Sequence, residues 1–137
     1  MTYSLIYRAG GAENRIHDPT PEEIEQAIDI MIPVLNYYLI LQEDECEKCG
    51  HRFASFVQML IGREDSPKHI YYIEFHESPL DELLQCNHSK ENRKVYSHST
   101  TNEDETKRIF RMFALGVNPL LDNWNDVTER VFKKNRG

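Results

Sequence analysis

Four residues at metal-ligand spacing carry the clearest chemical signal in this chain. Cys46-Glu-Lys-Cys49 is followed by Gly50, and Cys86-Asn-His88 supplies a second pair. A Cys-x-x-Cys lets two thiolates hold one ion, and the glycine permits the tight turn behind them. Three thiolates and one imidazole complete a closed tetrahedral shell. Cys46, Cys49, Cys86 and His88 are therefore the candidate ligands of one structural Zn2+. The competing reading is two polar loops with reduced thiols, since three cysteines cannot all close into disulfides. A redox role needs the motif at a helix N-terminus after a strand, and here it falls between two expected strands.

Catalytic groupings are thinner. Glu74 and His76 share a strand face at period two and could form a general acid/base pair, but no nucleophile or oxyanion site accompanies them. His76-Glu77 is not a metalloprotease signature, because no histidine stands four residues after His76. In Ser97-His98-Ser99, neighbouring strand residues point to opposite faces, which separates base from nucleophile. No catalytic residue is expected, and the chain reads as a non-enzyme. A hydrolase or transferase using Glu74, His76 or His98 would need a deep pocket holding those side chains.

Acidic clusters recur at Glu43-Asp44-Glu45, Asp81-Glu82 and Glu103-Asp-Glu105. The last suits a helix N-terminus. The first two occupy the loops that carry the candidate zinc ligands. Solvation is the usual fate of such runs. The functional alternative is a negative patch, in which Glu43, Asp44, Glu45, Glu77, Asp81 and Glu82 are the candidate partner-binding residues. The formal net charge of −7 points the same way. It repels phosphate backbones and anionic lipid and attracts a basic protein. Direct nucleic-acid or membrane partners are not expected. No apolar run approaches a membrane span and no charged leader precedes one, so the expected location is cytoplasmic.

These residues must be positioned by a small α+β domain spanning residues 1–137. Thr20-Pro-Glu-Glu23 is a capping box with proline at the first helical position, and Ile24, Ala27, Ile28 and Met31 recur at helical spacing. That predicts one main helix over about Thr20–Met31. Thr100-Thr-Asn-Glu103 predicts a second box and a second main helix over about Asn102–Leu115, ended by Gly116. Strands are expected at Tyr3–Tyr7, Tyr37–Leu41 (buried on both faces), Phe53–Ile61, Ile70–His76 and Val95–His98. The sheet is expected to be antiparallel or mixed. In a meander, the loops after residues 41 and 77 leave the same end of the sheet. Trp124 is expected to anchor the core with its indole N–H near the surface, and Trp124 to Phe132 to form a last short helix.

The order of these elements resembles a known family. A Pro-initiated helix (Pro19-Thr-Pro-Glu-Glu-Ile24) is followed by an apolar strand, a Val-Gln strand (Phe56-Val-Gln-Met59) and a Tyr-x-x-Glu strand (Tyr71-Tyr-Ile-Glu-Phe75). A helix ending Phe-x-x-Phe-Ala-x-Gly (Phe110 to Gly116) then precedes Trp124. Over about Pro19 to Val127 the chain resembles the immunity proteins of bacterial polymorphic toxin systems, especially the family paired with deaminase and nuclease toxins. The resemblance implies a cytoplasmic protein that binds a cognate basic toxin domain and occludes its active site. It transfers no catalytic residues. The Cys46–Cys49 insertion departs from the family pattern. The alternative is a zinc-stabilised protein-interaction domain unrelated to toxins.

Overall fold

The computed structural model describes residues 3–9, 11–31, 38–44, 55–62, 70–77, 94–117 and 124–130. The chain is a sheet-dominated α+β fold. Strands β1 (Tyr3–Ala9) and β2 (Ala12–His17) precede helix α1 (Pro21–Asp29). Strands β3 (Tyr38–Glu43), β4 (Phe56–Gly62), β5 (Ile70–Glu77) and β6 (Lys94–Thr100) follow, then helix α2 (Glu103–Ala114) and the two-residue β7 (Asn125–Asp126). The seven strands lie in the order β2-β1-β3-β4-β5-β6-β7. Among the described residues every neighbouring pair is antiparallel.

Period-two alternation decides the faces. Leu5, Leu39, Leu41, Val57, Met59 and Ile73 are essentially inaccessible and point toward the helices. From α1 come Ile24, Ala27, Ile28 and Met31, and from α2 Ile109, Phe110 and Phe113. Phe75 and Phe113 meet edge-on with ring centroids 5.9 Å apart. β3 is not buried on both faces as its apolar run suggested. Leu39 and Leu41 are buried, but Tyr38, Ile40 and Gln42 on the far face are only partly so. An antiparallel sheet with helices on one side needs a continuous apolar surface only on that side.

The helix ends follow local chemistry. At α1 both halves of the box form: Thr20 Oγ1 accepts from the Glu23 amide at 3.2 Å, and Glu23 accepts from the Thr20 amide at 2.9 Å. At α2 the expected Thr100–Glu103 box does not form. Asn102 caps instead, its side chain accepting from the Glu105 amide at 3.0 Å. Thr100 Oγ1 takes the Asn102 amide at 3.1 Å, which leaves the Glu105 carboxylate for other partners. The C-terminus of α2 is a Schellman motif. The Val117 amide donates to Met112 O at 2.9 Å and the Gly116 amide to Phe113 O at 3.0 Å. Gly116 carries the left-handed φ of 75° that this ending requires.

Two elements differ from expectation. β2 extends the sheet by a strand that shows almost no apolar alternation. Trp124 leads into β7 rather than a helix, and residues 128–130 turn helical only afterwards. Thr128 extends that edge, its Oγ1 accepting from the Val95 amide at 2.9 Å.

Candidate functional site

β3 and β5 run in the same direction, so Glu43 and Glu77 close the same end of the sheet. Both line a cleft of about 170 Å³ together with Tyr3, Ser55, Phe113 and Val117. Tyr3 sits opposite Glu43 in the β1–β3 register, and its ring meets Phe113 edge-on at 5.4 Å. Burial, followed by the nearby Glu43 charge, pushes the Tyr3 hydroxyl above its ordinary pKa. Two of the six acidic candidates thus share an aromatic-lined rim.

Asp44 does not join them. It turns to the far face, where Oδ1 accepts from the Ser4 hydroxyl at 2.5 Å and Oδ2 lies 3.4 Å from His17 Nδ1. Glu45, Asp81 and Glu82 lie outside the described residues. So do all four candidate zinc ligands, Cys46, Cys49, Cys86 and His88. Among the described residues, no group of three or more histidine, cysteine and acidic side chains gathers as a metal site. The described strand ends on either side of residues 45–54 and 78–93, Glu43 and Phe56, then Glu77 and Lys94, do fall at one end of the sheet.

A second cleft, of about 260 Å³, opens on the far face. Glu74 forms its floor with Gln58 and Ser97, and Leu60, Tyr72 and Arg130 border it. Glu74 Oε1 accepts from Gln58 Nε2 at 2.9 Å and from His76 Nε2 at 3.0 Å. The hydrogen bond from His76 holds the Glu74 carboxyl below the ordinary glutamate range, and Gln58 and the Arg130 charge act in the same direction against burial. The His76 ring stacks on Phe56 with centroids 4.1 Å apart. Its Nδ1 is buried and has no hydrogen-bond partner among the described residues.

The period-two pairing of Glu74 with His76 is as expected. The His76 ring addresses that carboxylate through Nε2. His98 is committed to the other face. Its Nε2 lies 2.7 Å from Glu105 Oε1, and its ring stacks on Trp124 at 5.2 Å. Glu105 Oε2 accepts from the Thr100 hydroxyl at 3.0 Å. Burial raises the Glu105 carboxyl, but the hydrogen bonds from His98 and Thr100 outweigh it, and the net shift is downward. Ser97 and Ser99 lie on the far face, away from His98. The Trp124 indole N–H is not near the surface. It is buried and has no acceptor among the described residues.

Sequence reasoning passed over the Gln58–Glu74 contact and the Tyr72–Arg130 border of the far-face cleft. Both depend on cross-strand register. The available signal was that Leu60 and Tyr72 are large apolar or aromatic residues at positions alternating with the core residues Met59, Ile61, Tyr71 and Ile73. Among the described residues, no helix is long and apolar enough to cross a membrane.

No protein-family model, no curated protein and no solved structure matches this chain. Fold and site geometry define its class: among the described residues, a seven-stranded antiparallel sheet with α1 and α2 on one face, a carboxylate-rimmed aromatic cleft at one end and a carboxylate-floored cleft on the other face.

Proposed function

We propose that this chain is an immunity protein, which binds a cognate bacterial toxin domain in the cytoplasm and occludes its active site. The toxin on this reading acts on nucleic acid, as a deaminase or nuclease does. Such an enzyme surrounds its site with positive charge to hold a polyanion, and an acidic protein can take the polyanion's place. The observation that carries the reading is the shared rim of Glu43 and Glu77 around an aromatic cleft, on a chain of net charge −7. Rim carboxylates steer and orient a basic partner. Affinity needs a desolvated anchor as well, and the Tyr3–Phe113 cleft offers the apolar wall for one. The activity is occlusion, so no residue is assigned to catalysis.

One structural Zn2+ held by Cys46, Cys49, Cys86 and His88 belongs to this reading as a brace for the loops at the acidic end. Metal analysis of the purified chain should return about one zinc per molecule, and a value near zero removes the brace without touching the inhibitory role. The direct test of the role is a pull-down against the product of the adjacent gene. A toxin domain captured and silenced supports it. Zinc in the chain with capture of an unrelated protein favours the interaction-domain alternative.

A further inference from the structure

We propose that the far-face cleft is a receptor for one arginine side chain of the protein partner, with Glu74 as counter-ion and Tyr72 as stacking surface. This rests on the binding role above and names the chemistry of a second contact. Glu74 is fixed on one side only. Gln58 and His76 both donate to Oε1, and Oε2 has no hydrogen-bond partner among the described residues. The floor therefore presents one oriented acceptor to the cleft. Tyr72 is 48% exposed and Leu60 54% exposed, which gives the rim an apolar and aromatic wall on an otherwise polar patch. Ser97 and Ser99 add hydroxyl oxygens that can accept further N–H groups.

An arginine answers each of these features. Its guanidinium donates in a plane to a carboxylate, stacks on an aromatic face and lays its methylenes on apolar surface. A cleft of about 260 Å³ has room for one such side chain. Arg130 lies on the border and favours the ionised Glu74. It acts as an internal competitor that an incoming arginine displaces. Glu74 stands three residues from Glu77 on β5, about 10 Å along the strand. The two carboxylates point to opposite faces, so a partner that engages both must reach around the end of the sheet.

The test uses a blocked arginine, N-acetyl-arginine amide, and its uncharged citrulline and acidic glutamate counterparts, titrated into the full chain by NMR. The arginine compound should shift the amide signals of Gln58, Tyr72, Glu74 and Ser97 saturably, and the other two should not. Glu74→Gln should weaken binding roughly tenfold or more. Arg130→Ser should tighten it, a gain that misfolding cannot produce. Equal binding of citrulline, preference for the glutamate compound, or unchanged binding by Glu74→Gln overturns the proposal. The probe contains no toxin, so arginine binding by a chain that captures no toxin domain refutes the immunity role alone. Toxin capture without arginine binding refutes the cleft alone.

Discussion

The Tyr72 ring lies over Gly62 on the far face, so close that a Cβ at residue 62 would fall 2.1 Å from Tyr72 Cε2. Residue 62 pairs with Ile70 and Tyr72 pairs with Leu60, so this is a diagonal contact across β4 and β5. The glycine is there because a ring occupies the space of a side chain. Gly62→Ala should swing Tyr72 outward and destabilise the fold by about 1–3 kcal/mol, the usual cost of overpacking. Half the ring is already solvated, which places the value at the low end. Denaturant midpoint measures it, and loss of arginine-compound binding should accompany it.

Stability should fall in acid through two identified carboxylates. Glu74 and Glu105 both have folded pKa values depressed below the ordinary glutamate range. A depressed carboxylate contributes stability that is fully present above its unfolded pKa and is lost as pH falls through the folded value. The wild type should therefore weaken as pH drops below the usual glutamate range. The double variant Glu74→Gln, Glu105→Gln should start lower at neutral pH and show a shallower acid slope. Denaturation midpoints across an acid series test this, and parallel slopes would contradict it.

The two helices are clasped at the surface. Lys107 Nζ lies 2.6 Å from Asp29 Oδ1 and 3.6 Å from Glu103 Oε1, and Arg111 pairs with Glu25. Asp29 sits below its ordinary pKa chiefly through the Lys107 hydrogen bond, and Lys107 above its own through Asp29. These pairs face water, so Lys107→Ala should cost no more than about 1 kcal/mol. The difference from wild type should shrink at high salt.

The core beneath the clasp is far less tolerant. Phe110 and Thr106 on α2 are fully buried, and Thr106 Oγ1 donates to Asn102 O at 3.1 Å. Phe110→Ala should cost about 3–5 kcal/mol, and Thr106→Val about 1 kcal/mol for a lost hydrogen bond that leaves a helix-end carbonyl with one partner fewer. Chemical denaturation resolves both. Equal small effects would place α2 outside the core.

Much of the fold was readable because its determinants are local or periodic. Thr20 and Glu23 encode their own capping box, and Tyr71, Ile73 and Phe75 declare a buried strand face. What was missed is encoded between elements. β2 carries only Ile16 as a half-buried apolar residue, so its strand character comes from pairing with β1. The α2 cap falls at Asn102 rather than Thr100, because Thr100, Asn102, Glu103 and Glu105 offer two overlapping boxes. Neither box closes: Asn102 caps through its side chain, while the Glu105 carboxylate turns to His98 and Thr100. At the site, Glu74–His76 was legible from period two. Gln58 beside Glu74, Asp44 turned toward Ser4, and Tyr72 over Gly62 required the register.

The proposed role requires that this chain inhibits its partner by charge-guided contact. Calorimetric titration of the full chain into the toxin domain encoded next to it, at low and high salt, addresses that directly. It should give a tight one-to-one complex that weakens with salt, with a flatter salt dependence for Glu43→Gln, Glu77→Gln. Absence of a complex, or an affinity and salt slope unchanged by those two substitutions, would contradict it.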